Sequence, residues 1–171
     1  MPSKLSEAES RVLESIQGAA FDVPGVLPTA RGLSHWGEHA LGWMGTAAVG
    51  AGVDKRRREG WIRVGAAAFL AHAASVVLKR IVRRKRPDYS YVRVGVKTPS
   101  KLSFPSSHTT STTAFLVAVA RLTGRKAPLF GVPVMMASRM VLGVHYPTDT
   151  AVGAAIGAAT AEVVMKGMKH E

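Results

Sequence analysis

Arg139, His145 and Asp149 stand in one run, Ser-Arg-Met-Val-Leu-Gly-Val-His-Tyr-Pro-Thr-Asp, covering residues 138–149. Their types supply a phosphate binder, a nucleophile and an orienting carboxylate. A neutral imidazole attacks phosphorus without needing a strong base, because histidine titrates near physiological pH. A carboxylate beside its other ring nitrogen fixes the tautomer and favours the positive charge that develops. The guanidinium offers a planar fork matched to phosphate oxygens. Two further stretches carry compatible chemistry. Pro105-Ser106-Ser107-His108 opens a Thr/Ser-rich helix start, whose first amides suit an anion held near His108. Lys79 is followed seven residues later by Arg86 and Pro87.

Taken in chain order, Lys-x6-Arg-Pro, Pro-Ser-x-His and Ser-Arg-x5-His-x3-Asp resemble the three-part signature of the type 2 phosphatidic acid phosphatase superfamily. That superfamily takes in lipid phosphate phosphatases, bacterial acid phosphatases and vanadium haloperoxidases. The resemblance spans Lys79 to Asp149, with Ser107 standing where the family usually has glycine. It implies metal-independent hydrolysis of a lipid phosphate monoester or diphosphate, with no cofactor. Lys79, Arg86 and Arg139, with the amides around Ser106, Ser107 and His108, would bind the phosphoryl oxygens. His145 would attack to form a phosphohistidine, Asp149 would orient it, and His108 would protonate the leaving alcohol. The short chain and its Gly32–His39 segment are similar to small actinobacterial members of the family. Some of those act on decaprenylphosphoryl-5-phosphoribose on the way to cell-wall arabinan. Polyprenyl diphosphate and phosphatidylglycerophosphate are the alternative substrates. A haloperoxidase is not expected, because those are larger soluble proteins, and a basic membrane adaptor without activity would leave three motifs unexplained.

These residues must be positioned by helices. The chain has 171 residues, enough for one domain over 1–171, and no cysteine, so neither disulfides nor thiolate metal sites hold it. Its net charge is +12 and 47% of its residues are hydrophobic. Three tyrosines and five phenylalanines offer little for base stacking, and no nucleic-acid partner is expected. Five stretches are free of Lys, Arg, Asp and Glu: 40–53, 64–78, 102–120, 127–138 and 150–161. Most fall short of the roughly 18–20 residues that span a bilayer as a helix, which favours a soluble all-α protein. The charges that interrupt them, however, sit near the run ends, and at one end they are largely the motif residues. That is where functional charges in a spanning helix belong. The expected fold is therefore an all-α polytopic bundle in the cell membrane, with about five spanning helices. An N-terminal amphipathic segment, 1–31, precedes them, and its start lacks an apolar signal-peptide core, so no cleavage is expected.

In order, Leu5, Ala8, Val12, Leu13 and Ile16 predict an amphipathic helix over 4–20, lying at the interface or on the bundle. Pro24, Gly25 and Pro28 break the chain. Spanning helices follow over about 33–53, 61–82, 108–122, 127–144 and 147–165, with a long loop over 87–107. Counting passes, helix two ends, helix three starts, helix four ends and helix five starts on one face, so the three motifs converge there. With the three motif cations set aside, Lys and Arg divide evenly between the faces, and the positive-inside rule does not choose one. Many relatives work on the extracytoplasmic face, so that face is expected to carry the site.

Some other residues invite comment. His35 and His39, at i and i+4, have metal-ligand spacing, but His-Trp-Gly-Glu-His lacks the order of a zinc hydrolase and no metal is expected. Glu38 and His39, near the site end, are expected to help recognise substrate by binding sugar hydroxyls. His72 and the methionines 135, 136 and 140 read as bundle filling. Trp36, Trp43 and Trp61 read as interface anchors. Arg83, Arg84 and Lys85 are expected to rim the pocket. Gly153 and Gly157 make a Gly-x-x-x-Gly pair that permits close helix packing, including a homo-oligomer. The remaining partners are lipids, as substrate and solvent.

Overall fold

The computed structural model describes residues 4–166, so Lys169 and the first three residues lie outside it. Among the described residues the helices are α1 (Lys4–Ala20), α2 (Val26–Trp36), α3 (Leu41–Val53), α4 (Arg58–Val82), α5 (Ser107–Thr123), α6 (Gly131–Val141) and α7 (Pro147–Met165). Among the described residues the only β contact is an isolated antiparallel bridge between Lys85 and Leu102 in the loops. The all-α expectation holds.

The core is built from small side chains. Ala47, Val64, Ala67, Ala68, Ala71, Ala114, Ala118 and Ala161 pack with Phe115, Leu122 and Met165 between α3, α4, α5 and α7. Gly157 brings α7 against α5 so closely that a Cβ there would lie 2.3 Å from the Thr110 carbonyl oxygen. The Gly-x-x-x-Gly pair is thus spent inside the chain. Large apolar side chains point the other way: Val53, Phe69, Val77, Ile81, Phe130 and Val163 are all exposed. Small residues inside and large ones outside suit a bundle surrounded by hydrocarbon, where close backbone approach holds helices together. One helical stretch among the described residues, Lys55–Val82, is long and apolar enough by composition to cross a membrane.

The fourth spanning helix, expected over 127–144, is a 3-10 turn over Ala127–Phe130 followed by α6, which ends at Val141, and three further expectations need correction. The first spanning helix, expected over 33–53, is split. α2 stops at Trp36, a single 3-10 turn covers Glu38–Ala40, and His39 (φ 50°) and Ala40 (φ 59°) take left-handed conformations before α3 begins. The flanking glycines permit the reversal, since a Cβ on Gly37 would sit 2.9 Å from the His108 ring and one on Gly42 2.3 Å from the Trp36 carbonyl oxygen. The interface-anchor reading fails for Trp43, which packs inward on Phe115 with ring centroids 4.9 Å apart. The third correction concerns α1, which docks through a mainly polar side: Glu9, Ser10, Leu13 and Gln17 are buried while Leu5 and Val12 are exposed. Gln17 explains this orientation, bonding the carbonyls of Arg93 and Val141 at 2.7 and 2.8 Å and accepting from the Arg93 amide. Periodicity finds an apolar stripe but cannot see that the loop beneath it is rich in unpaired backbone groups.

Candidate active site

The site assembles from four chain segments at one end of the bundle. α4 delivers Lys79 in its last turn and stops at Val82, because Arg83 adopts a left-handed conformation (φ 56°) and its amide bonds the Lys79 carbonyl. Arg84 to Arg86 then run extended and pair with the returning loop. The Ser103 amide bonds the Arg84 carbonyl at 2.7 Å, and the Arg86 amide bonds the Lys101 carbonyl at 3.2 Å. Arg86 therefore reaches the site by this pairing and not along a continued helix. Its Nε donates to the Ser100 carbonyl at 2.8 Å and its Nη1 to the Val144 carbonyl at 2.6 Å.

Between α6 and α7 the chain turns at Gly143 (φ 67°), where a Cβ would meet the Arg93 carbonyl oxygen at 2.1 Å. This turn swings His145 under Arg86. Arg86 Nη1 lies 3.1 Å from His145 Nε2, and since a guanidinium only donates, Nε2 is the acceptor. The proton of the neutral ring therefore sits on Nδ1, which faces Asp149 Oδ2 at 3.6 Å. Asp149 is fixed by α7's first turn, where Oδ2 accepts the Tyr146 amide at 2.9 Å in a capping box. Burial, then the charges of Arg86, Arg139 and Lys79, push the His145 imidazole well below its usual range. Burial also lowers the Arg86 guanidinium to about 10, against the opposing effect of Asp149.

Opposite lies His108 at the start of α5. Its Nε2 donates to the Ser34 carbonyl of α2 at 2.9 Å, which leaves Nδ1 to exchange a proton with a substrate. Arg139 is 1% exposed, and its Nε and Nη1 have no hydrogen-bond partner. Lys79 Nζ reaches the Leu102 carbonyl at 3.2 Å. Lys79, Arg86, Ser107, His108, Arg139 and His145 share one cavity of about 700 Å³. A buried donor left open in such a cavity is suited to a phosphate oxygen.

The expected residues do not all face that space. Asp149 is fully buried behind His145, as an orienting group should be. Ser106 is corrected: it lies outside the cavity lining, its amide bonds the Asp149 carbonyl at 3.0 Å, and its hydroxyl accepts from Thr109. It ties the second motif to the third instead of touching a ligand. Arg83 lines the cavity with Arg80 and Lys97, but Arg84 and Lys85 do not. Glu38, His39 and His35 also line the cavity, next to Gly37 and the His108 ring that it faces, joined by His72. The His72 ring stands 5.9 Å from that of His39 and is not mere bundle filling. His72 precedes Lys79 by two helical turns and so shares its face, a signal the sequence already held. Among the described residues, no group of three or more His, Asp or Glu side chains gathers as a metal site.

The PAP2 superfamily model matches residues 60–171. The chain is 51% identical over 164 residues to decaprenylphosphoryl-5-phosphoribose phosphatase of Mycobacterium tuberculosis, covering 96% of this chain and 93% of that protein. It is 54% identical over 151 residues to the protein of the same name from Mycolicibacterium smegmatis, covering 88% and 84%. Among solved structures, LpxE of Aquifex aeolicus superposes with a TM-score of 0.72 at 18% identity, covering 91% of this chain and 93% of that one. A transmembrane PAP2-type phosphatidylglycerolphosphate phosphatase from Bacillus subtilis gives 0.68 at 22%, covering 92% and 84%. At those identities the likeness is one of fold.

Proposed function

The chain belongs to the PAP2 superfamily and is a phosphoric-ester hydrolase, and we propose that it cleaves a polyprenyl-linked phosphate through a phosphohistidine on His145, with decaprenylphosphoryl-5-phosphoribose as the favoured substrate. One observation carries the reading: buried Arg139, whose Nε and Nη1 have no hydrogen-bond partner, lines the same cavity as His145 and His108. The high identity to the two mycobacterial phosphatases supports the choice of substrate over polyprenyl diphosphate or phosphatidylglycerophosphate.

Lys79, Arg86 and Arg139 clamp the phosphoryl oxygens, helped by the first amides of α5 at Ser107 and His108. Arg86 also bonds the attacking nitrogen of His145, so a phosphoryl oxygen to which it donates lies beside the lone pair. His145 Nε2 attacks phosphorus and its ring becomes positive, with the proton on Nδ1 facing the Asp149 carboxylate. His108 gives the proton on Nδ1 to the departing ribose oxygen, while the Ser34 carbonyl supports the cationic ring through Nε2. Water then attacks the phosphohistidine, with His108 taking its proton, and phosphate leaves.

Glu38 and His39, with His72, receive the ribose hydroxyls beside His108, while the prenyl tail lies outside the cavity in lipid. The whole chain works as one membrane-embedded domain over 1–171. It crosses the bilayer about five times, through α3 to α7, with α1 and α2 on the site face. Phosphate release from a panel of lipid phosphates tests the reading. Turnover should be fastest on the phosphoribosyl lipid, and Glu38→Gln should raise KM for it about tenfold while leaving phosphatidic acid unaffected. Equal rates on all lipids, unchanged in that variant, would remove the sugar from the proposal.

A further inference from the structure

Arg84 belongs to none of the three motifs, yet it is the most heavily bonded cation near the site. Its Nη1 donates to Thr148 Oγ1 at 2.8 Å and to Asp149 Oδ1 at 2.9 Å. Its Nη2 donates to Ser6 Oγ at 3.1 Å and to Glu9 Oε2 at 2.5 Å. The guanidinium lies 4.0 Å over the Tyr146 ring. Glu9 is buried, and its other oxygen accepts from the amide and hydroxyl of Thr148 at 2.8 and 2.7 Å. One residue of α1 thus grips both the loop that carries Arg84 and the first turn of α7. We propose that Arg84 is a positioning residue for the Asp149–His145 pair and that Glu9 anchors it, which makes the N-terminal helix part of the machinery that sets the nucleophile.

The physical case begins with Asp149, whose side chain has no exposure to solvent. A buried carboxylate stays ionised only beside a cation or several donors. Arg84 takes Oδ1, and that hold directs Oδ2 to the Tyr146 amide and toward His145 Nδ1. Lys79 and Arg86 also feel the Asp149 charge, but with Arg139 they press on His145 itself, and Arg84 is the cation that hydrogen-bonds the carboxylate. Lys79, Arg86 and Arg139 oppose the cationic ring that forms on attack, whereas Asp149 favours it. Removing Arg84 makes the carboxylate easier to protonate and frees its rotamer. Glu9 balances the Arg84 charge and keeps the guanidinium from turning into the cavity, where the sequence would place it.

The proposal rests on the reading of His145 as nucleophile, and the test separates the two. Full-length enzyme in detergent micelles is assayed on a lipid phosphate over a range of pH. Arg84→Gln should lower kcat about 100-fold with KM changed less than about threefold, and should move the acid limb of kcat/KM up by about one pH unit. Arg84→Lys, which keeps the charge, should hold the limb near its original position. Glu9→Gln should lower kcat about tenfold and add nothing in the Arg84→Gln background, because both act through one contact. A purely structural brace would lower folded yield and leave the limb where it was. That outcome, in Arg84→Gln or, should it not fold, in Glu9→Gln, overturns the proposal, as does full additivity of the two losses. His145→Ala serves as reference: if it still turns over, the nucleophile reading falls as well. If it is inactive while the limb stays put in the other variants, only the positioning role falls.

Discussion

Arg86 and His145 meet at 3.1 Å, guanidinium Nη1 to imidazole Nε2, in a cavity that they share with Lys79 and Arg139. The contact fixes the tautomer without any need to see a hydrogen, because arginine cannot accept. It aims the unprotonated nitrogen at the cluster of cations and the protonated one at Asp149. One bond thus holds both the proposed phosphate binder and the proposed nucleophile.

Loss of the nucleophile should be nearly complete. His145→Ala should reduce kcat by at least about 1,000-fold with the fold retained, and Asp149→Asn by about 100-fold or more. Rapid quenching with labelled substrate should trap a phosphoenzyme in the parent protein and none in His145→Ala. Vanadate should inhibit as a phosphate mimic, and EDTA should leave the rate unchanged. Activity restored by a divalent ion after EDTA would return attention to His35 and His39.

The pH dependence follows from the lowered imidazole. Its neutral form attacks, so the acid limb of kcat/KM should lie below the ordinary histidine value of about 6.5. Arg86→Gln removes one of the charges that depress it and should shift that limb upward while lowering kcat. Stability has the same sign. A ring kept neutral in the fold costs nothing above about pH 6.5, but below it the unfolded chain gains a proton that the fold refuses. Thermal midpoints should therefore fall as pH drops below about 6.5. A midpoint insensitive to pH between about 4 and 7 contradicts the burial argument.

Arg80, Arg83 and Lys97 are exposed side chains that line the cavity. An anionic headgroup held by them would meet them equally in ground and transition states, so their loss should be felt in binding. Arg80→Gln with Arg83→Gln should raise KM about tenfold and change kcat less than about threefold, and the KM of the parent should rise with salt. A kcat loss without a KM change would move these cations into the catalytic group.

The boundaries of α1, α4, α5 and α7 were readable along the chain, because each depends on local periodicity and on breakers such as Pro24 and Pro147. The motif spacings alone identified Lys79, Arg86, His108, Arg139, His145 and Asp149 as candidates, and counting helices placed them at one end. Tertiary structure decided what depends on unpaired backbone groups and close approach. Gly37 and Gly42 make room for a reversal that divides the expected first spanning helix, and that room is set by His108 and Trp36, far or near in sequence. Arg83, Arg84 and Lys85 look alike as a basic run, yet a left-handed Arg83 turns the chain so that Arg83 faces the cavity and Arg84 faces Glu9. Glu9 reads as a solvated charge on an amphipathic helix until Thr148 and Arg84 are brought beside it. Local sequence fixes helix and chemistry, but a side chain's partner across the fold is chosen by which buried donor would otherwise go unsatisfied.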